Sequence, residues 1–175
     1  MPPHFLNLAA ATGLLPALLA GSPALAFDQA KLDVYLTTNT CKYCDLAGAQ
    51  LGGRNLRGTD LENAKLAGAV LVGSDLSELQ MEKRTLASNL KSANLRKADL
   101  AGANLRKADM ARAYLREANL AGADLTGADL SGANLQGANL EGTNLTGAKL
   151  DGAKTDGARY CKTTLPDGQT NDTGC

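Results

Sequence analysis

A leucine returns at every fifth position through most of this chain. One series runs Leu46, Leu51, Leu56, Leu61, Leu66, Leu71 and Leu76. A second runs Leu90, Leu95, Leu100, Leu105, Met110, Leu115, Leu120, Leu125, Leu130, Leu135, Leu140, Leu145 and Leu150, with Thr155 and Tyr160 as degenerate last members. A helix turns about 100° per residue, so fifth positions are spread by about 140° and share no face. On a flat strand an odd spacing sends successive leucines to opposite sides. A chain that buries all of them has to turn a corner once per repeat.

The other positions of the repeat agree. Two residues before each centre stands a small side chain, as in Ala93, Ala98, Ala103, Ala108, Ala113, Ala118, Ala123, Ala128, Ala133 and Ala138. One large and one small apolar residue per repeat describe a narrow core filled in layers. The residue just before the centre is usually Asn or Asp, among them Asn94, Asp99, Asn104, Asp109, Asn119, Asp124, Asp129, Asn134, Asn139 and Asn144, and the second residue after it is often Gly. Such residues satisfy local backbone groups and tolerate unusual dihedrals, so they belong at outer turns.

With these positions assigned, the chain resembles the pentapeptide-repeat family, whose motif A(D/N)LxG is matched literally by residues 123–127 (Ala-Asp-Leu-Thr-Gly) and 133–137 (Ala-Asn-Leu-Gln-Gly). The resemblance covers roughly residues 44–162. It implies an all-β fold, a right-handed quadrilateral β-helix with four pentapeptides per coil, so that side chains twenty apart stack. About five and a half coils at about 4.8 Å each give a rod on the order of 26 Å long. Two Phe, four Tyr and no Trp suit such a thin core better than a globular one.

Residues 1–26 have a different composition. They carry no Asp, Glu, Lys or Arg, run apolar from Phe5 to Leu19, and end in Ala24-Leu25-Ala26. This reads as a secretory signal peptide cleaved before Phe27, although its n-region offers only His4. Residues 27–43 are predicted to form an N-terminal capping helix and junction, with Asp28 as N-cap and Leu32, Tyr35 and Leu36 on one face. The first pentapeptide block is set at 44–78, a register break at 79–87, a second block at 88–162, and a C-terminal cap at 163–175 that turns at Leu165-Pro166-Asp167-Gly168-Gln169. Caps are expected because a solenoid's terminal coils leave backbone edges and apolar residues exposed.

Leu76 and Leu90 are fourteen residues apart where fifteen would keep phase. The segment between them is read as one more repeat centred on Met81 plus a four-residue bulge. It carries the strongest charge cluster, Glu82, Lys83 and Arg84, beside Met81, and is a candidate partner contact, since irregular loops on rigid scaffolds often are. The plainer reading is an irregularity absorbed at the surface.

The four cysteines, Cys41, Cys44, Cys161 and Cys175, flank the repeats. In an exported chain an even count reads as disulfides. Proximity pairs Cys41 with Cys44 and Cys161 with Cys175, the two groups lying at opposite ends of the rod. A haem site is excluded because Asp45 follows the second Cys of the CxxC, and zinc lacks a clustered ligand set. Thiol–disulfide exchange at Cys41 and Cys44 remains an alternative to a structural bridge. Catalysis otherwise lacks material: His4 is the one histidine and lies in the leader, so no Ser/His or Cys/His pair can form. No cofactor and no metal are expected.

The 18 basic and 18 acidic residues balance, so no global field selects nucleic acid or an anionic membrane. Locally, Arg96, Lys97, Arg106, Lys107, Arg112 and Arg116 form a basic belt that either is simply solvated or docks an acidic protein or polymer; nucleic acid is disfavoured because no aromatic platform stands beside these bases. The expected function is a non-catalytic exported scaffold for an unidentified protein partner, in the periplasm or, alternatively, the thylakoid lumen, without a membrane span once the leader is removed and with the oligomeric state open. Two alternatives come with the resemblance and the CxxC: a DNA-mimicking topoisomerase inhibitor, a role of acidic and often Phe-centred relatives from which this neutral chain departs, and a thiol–disulfide oxidoreductase.

Overall fold

Residues 39–81 and 84–175 are described by the structure, a computed structural model; the predicted signal peptide and residues 27–38 of the predicted capping helix lie outside the described residues. Each repeat contributes three extended residues and a two-residue corner. The corner closes because the carbonyl of the centre accepts the amide three residues on, as Leu46 O does from Ala49 N at 3.0 Å. The third residue of that turn lies in the left-handed region, which explains the glycine of the motif: Gly127, for example, has φ +68.

The residue before each centre forms a parallel bridge to its counterpart in the next coil. Thr40 pairs with Asp60 and Asn104 with Asp124, twenty residues on in each case. The ladders run in both directions between coils: Leu46 N donates to Lys65 O at 2.8 Å, Gly48 N to Ala67 O at 3.0 Å, and Lys65 N back to Cys44 O at 2.8 Å. Four such columns make a four-sided β-coil. Its interior is solid, because the centres from Leu46 to Leu145 are at most 3% exposed and alanines two residues before fill the gaps between them. Met110 is fully buried among the leucines. Where Ser or Thr takes the alanine position the hydroxyl donates to a backbone carbonyl, Ser74 to Leu71 O at 2.7 Å and Thr143 to Leu120 O at 2.8 Å. Among the described residues no buried side-chain polar atom lacks a partner.

The coil extends beyond the limits expected from sequence. Thr40 makes the first bridge and the buried Cys41 stands in the leucine position, so residues 40–43 are a coil rung rather than a junction. At the other end Thr164 still pairs with Asn144. Degenerate centres hid both rungs: a disulfide-bonded Cys in one, and Leu165, read as part of a turn, in the other.

The register break also differs from expectation. Asp60 bridges Asn89 and Asp75 bridges Asn104, twenty-nine residues on, so nine residues are inserted between Glu78 and Ser88. They contain an antiparallel hairpin, β1 (Leu79–Met81) with β2 (Arg84–Leu86). Met81 is 46% exposed and centres no repeat. A rung centred on Met81 would push Leu79 into the slot that Ala, Ser and Thr occupy elsewhere; Ser88, fully buried, fits that slot and the coil resumes at Leu90. The hairpin is seated over Gly58, where an added Cβ would meet Leu79 Cβ at 2.8 Å and Leu86 Cβ at 3.3 Å.

A second hairpin ends the chain, β3 (Thr163–Thr164) with β4 (Thr170–Asn171). Its turn closes through Leu165 N to Gln169 O at 2.7 Å and Gly168 N to Leu165 O at 2.9 Å. The returning strand then accepts Tyr160 N at Thr173 O, 3.0 Å, and Arg159 Nε at Gly174 O, 3.1 Å.

Candidate functional site

The six basic residues of the predicted belt all stand where the coil turns. Arg96 and Lys97 occupy one corner, directly next to Arg116 and Glu117 of the following coil, with Lys97 N donating to Arg116 O at 3.1 Å. Arg106 and Lys107 lie two corners further around, and Arg112 is on the corner preceding Arg116. The six cations therefore spread over three corners and two successive coils instead of crowding a single face.

Several are neutralised locally. Lys97 reaches Glu117 at 3.6 Å, Arg116 the same carboxylate at 3.2 Å, Arg106 Asp124 at 3.1 Å, and Lys107 Glu78 at 2.7 Å. Arg96 and Arg112, both exposed, make no ion pair among the described residues. Lys97, Lys107, Arg112 and Glu117 also have φ between +56 and +59, at the turn position that glycine fills in most other repeats. A non-glycine residue is strained there.

Between Arg112 and Arg116 stands Tyr114, 52% exposed, in the position that usually holds Asn or Asp. It supplies an aromatic surface beside the bases, which sequence reasoning took to be absent; the signal was the Ala-Tyr-Leu at 113–115 in place of Ala-(Asn/Asp)-Leu. The ordinary occupant accepts the amide two residues on, as Asn94 Oδ1 does from Arg96 N at 3.2 Å and Asp129 Oδ1 from Ser131 N at 2.9 Å. Asp99, Asp109, Asp124 and Asp129 all make this corner bond, so their recurrence has a backbone cause. The hydroxyl and amide of Ser131 hold the Asp129 carboxyl below the usual range. For Asp124, partial burial pushes upward, but the bonds from Thr126 and Arg106 outweigh it and the net shift is down.

The first hairpin borders an open polar cleft of about 350 Å³ lined by Arg57, Asp75, Glu78, Gln80, Arg106 and Lys107 among others. Arg57 clamps the Glu78 carbonyl through Nη2 at 2.8 Å and Nε at 3.1 Å. The Lys107 ammonium beside Glu78 holds its carboxyl below the usual range. These contacts hold Glu78, the coil residue from which the insertion leaves. Of its sequence-predicted residues, Met81 is exposed, Arg84 pairs with it across the hairpin, and Glu82 and Lys83 lie outside the described residues. A second cleft of about 290 Å³ lies along Arg116, Glu117, Gln136, Gly137 and Asp156. Both are surface grooves between charged side chains.

The sulfurs of Cys41 and Cys44 are bonded at 2.13 Å, and those of Cys161 and Cys175 at 2.14 Å. The first bridge spans a coil corner and places a disulfide in the leucine and alanine slots of the first rung; the second ties the returning C-terminal segment to the coil. Among the described residues no group of His, Cys, Asp and Glu could hold a metal ion, and no helix is long and apolar enough to cross a membrane.

A family model, Pentapeptide repeats, matches in eight copies over residues 44–78, 93–132 and 123–159, more than half of the chain. No curated protein matches. Among solved structures the chain is similar to a pentapeptide repeat protein from the cyanobacterium Cyanothece 51142, with 31% identity over 74% of this chain and 92% of that one and a TM-score of 0.43. It is similar to HetL, a pentapeptide repeat protein involved in heterocyst differentiation regulation in Nostoc sp. strain PCC 7120, with 28% identity over 75% and 76% of the two chains and a TM-score of 0.39. A pentapeptide repeat protein from the Arabidopsis thaliana thylakoid lumen is 26% identical over 75% and 71%, with a TM-score of 0.28. With that family model matching more than half of its residues, the chain belongs to the pentapeptide-repeat family.

Proposed function

We propose that this protein is an exported, non-catalytic scaffold that holds a protein partner on the outer surface of a right-handed pentapeptide-repeat coil. The observation that carries the reading is the contrast between a core packed solid with Leu and Ala and corners where charged residues stand in glycine's backbone conformation. A substrate site needs an enclosed, largely apolar pocket with convergent polar groups; binding at a surface needs only a rigid frame.

In this reading residues 1–26 are a leader that is removed and residues 163–175 cap the last coil. Bridged cysteines at both ends suit an oxidising compartment, the periplasm or the thylakoid lumen. The test is fractionation followed by crosslinking and capture of the native protein: a specific partner recovered from the exported fraction is expected, and either a cytoplasmic protein or the absence of any crosslinked partner would overturn it. The Cys41–Cys44 bridge is structural here, so insulin reduction by the mature protein is expected to be nil; turnover abolished in Cys41→Ala would make it an oxidoreductase instead.

A further inference from the structure

We propose that the side of the coil carrying Tyr114, bracketed by Arg96, Arg112 and Arg116, docks an extended acidic segment of the partner protein; the inference rests on the scaffold reading and gives that partner a chemistry. Tyr114 bridges Asn94 in one neighbouring coil and Asn134 in the other. Each Asn accepts the corner amide two residues on, from Arg96 N at 3.2 Å and Gln136 N at 3.1 Å. A phenol ring cannot reach back in this way, so Tyr114 gives up that bond and exposes its ring. Next to it Arg112 has φ +59 where the same corner of the following coil has Gly132. Lys97 and Glu117 likewise precede Gly137 and Gly157 on the adjoining corner, with φ +56 and +58.

Each departure from the repeat costs stability, and together they are contiguous on one side of the coil. Left-handed non-glycine residues also stand elsewhere, at Asn63, Ser92 and Lys107 among others, so it is the coincidence of such corners with the lost bond at Tyr114 that marks this side. What it displays is an aromatic surface with uncompensated positive charge on both flanks. Arg96 and Arg112 are unpaired among the described residues, and the one carboxylate within the group, Glu117, is shared by Lys97 and Arg116.

Guanidinium groups select carboxylates through paired N–H donors, and an exposed ring selects an apolar or aromatic side chain. In an extended peptide, side chains on one face recur about every 6.6–7 Å. An acidic segment can thus set an apolar residue on Tyr114 and carboxylates on the arginines at either side. A polynucleotide fits less well, because its affinity grows with the number of phosphates neutralised and here three arginines have the Glu117 carboxylate among them.

Two variants test the surface without threatening the fold, since each moves toward the repeat: Arg112→Gly and Tyr114→Asn. The probe is a fluorescein-labelled Glu-rich peptide with a central Leu, read by anisotropy on the full mature protein beside a Lys-rich counterpart and an oligothymidine. The Glu-rich peptide should bind, less tightly as salt rises, and each variant should weaken it by about tenfold while melting no lower than the parent protein. Equal binding of the two peptides, unchanged affinity in both variants, or tighter binding of the oligothymidine would overturn the proposal. A native partner captured equally well by both variants would remove this surface and leave the scaffold reading standing, whereas failure of that reading shows as no crosslinked partner at all.

Discussion

Arg112 and Gly132 occupy the same corner of successive coils in nearly the same backbone conformation, φ +59 and φ +67. One of them is strained and the other is not. The left-handed conformation costs a residue with a Cβ about 1–2 kcal/mol, and glycine returns part of that through the extra freedom it loses on folding. Arg112→Gly is therefore expected to stabilise the fold by about 0.5–1 kcal/mol, measured as a rise in denaturation midpoint. A lower midpoint would mean that the guanidinium makes a stabilising contact.

The interior yields to a simpler argument. Leu120 is fully buried in a layer filled on all sides, so Leu120→Ala leaves a cavity that the stiff coil cannot collapse, with a loss of about 2–5 kcal/mol. Met110 occupies the same kind of slot, and Met110→Leu keeps its volume, so a change under about 1.5 kcal/mol is expected. Urea denaturation of the two variants checks both; a small effect in the first would contradict a solid core.

Much of this was legible in the sequence, and the reason is that the repeat couples every residue to a fixed geometric slot. Leu46 through Leu145 are buried where the period put them, and Asn94 and Asp129 bond the local backbone as short polar turn residues should. Reading failed where one slot was filled by an unexpected side chain. Cys41 looked like part of a junction because it is no leucine, and Met81 looked like a centre because it is apolar, although Leu79 before it is too large for the small slot. Tyr114 went unnoticed because its significance depends on which corners flank it, and that follows from the twenty residues per coil.

Gly58 separates close packing from backbone strain. A Cβ there would lie 2.8 Å from Leu79 Cβ, whereas at Gly102, with nearly the same φ, it would meet nothing within 4 Å. Gly102→Ala should cost only the conformational strain, about 1 kcal/mol. Gly58→Ala should cost more and lift the hairpin away from the coil, seen as faster amide exchange and proteolysis confined to residues 79–86. Equal effects of the two substitutions would mean that the hairpin is not seated on Gly58.

The carboxyls at the corners set the response to acid. Asp129 and Asp124 titrate below their ordinary range in the folded protein, so as pH falls the unfolded chain takes up protons first. Their contribution is complete above about pH 4 and is lost as pH drops through the folded values. Asn stands in the same position at Asn134 and Asn139 and makes the same corner bond. Asp124→Asn/Asp129→Asn should therefore show a shallower loss of stability between about pH 5 and pH 2 than the parent protein. Superimposable acid limbs would place the sensitive carboxyls elsewhere.

The two disulfides should differ in weight because they close loops of different length. Cys161 and Cys175 are 14 positions apart, for which restriction of the unfolded chain is worth about 3 kcal/mol. Cys41 and Cys44 are 3 apart, and the same relation gives about 2 kcal/mol. Cys161→Ala/Cys175→Ala should also free the segment that Thr173 and Gly174 tie to Tyr160 and Arg159, uncovering part of the last rung. The larger drop in denaturation midpoint is thus expected for this pair, with new amide exchange at Tyr160. Greater sensitivity in Cys41→Ala/Cys44→Ala would show that the coil is held chiefly from its first rung, where a disulfide stands in for leucine and alanine.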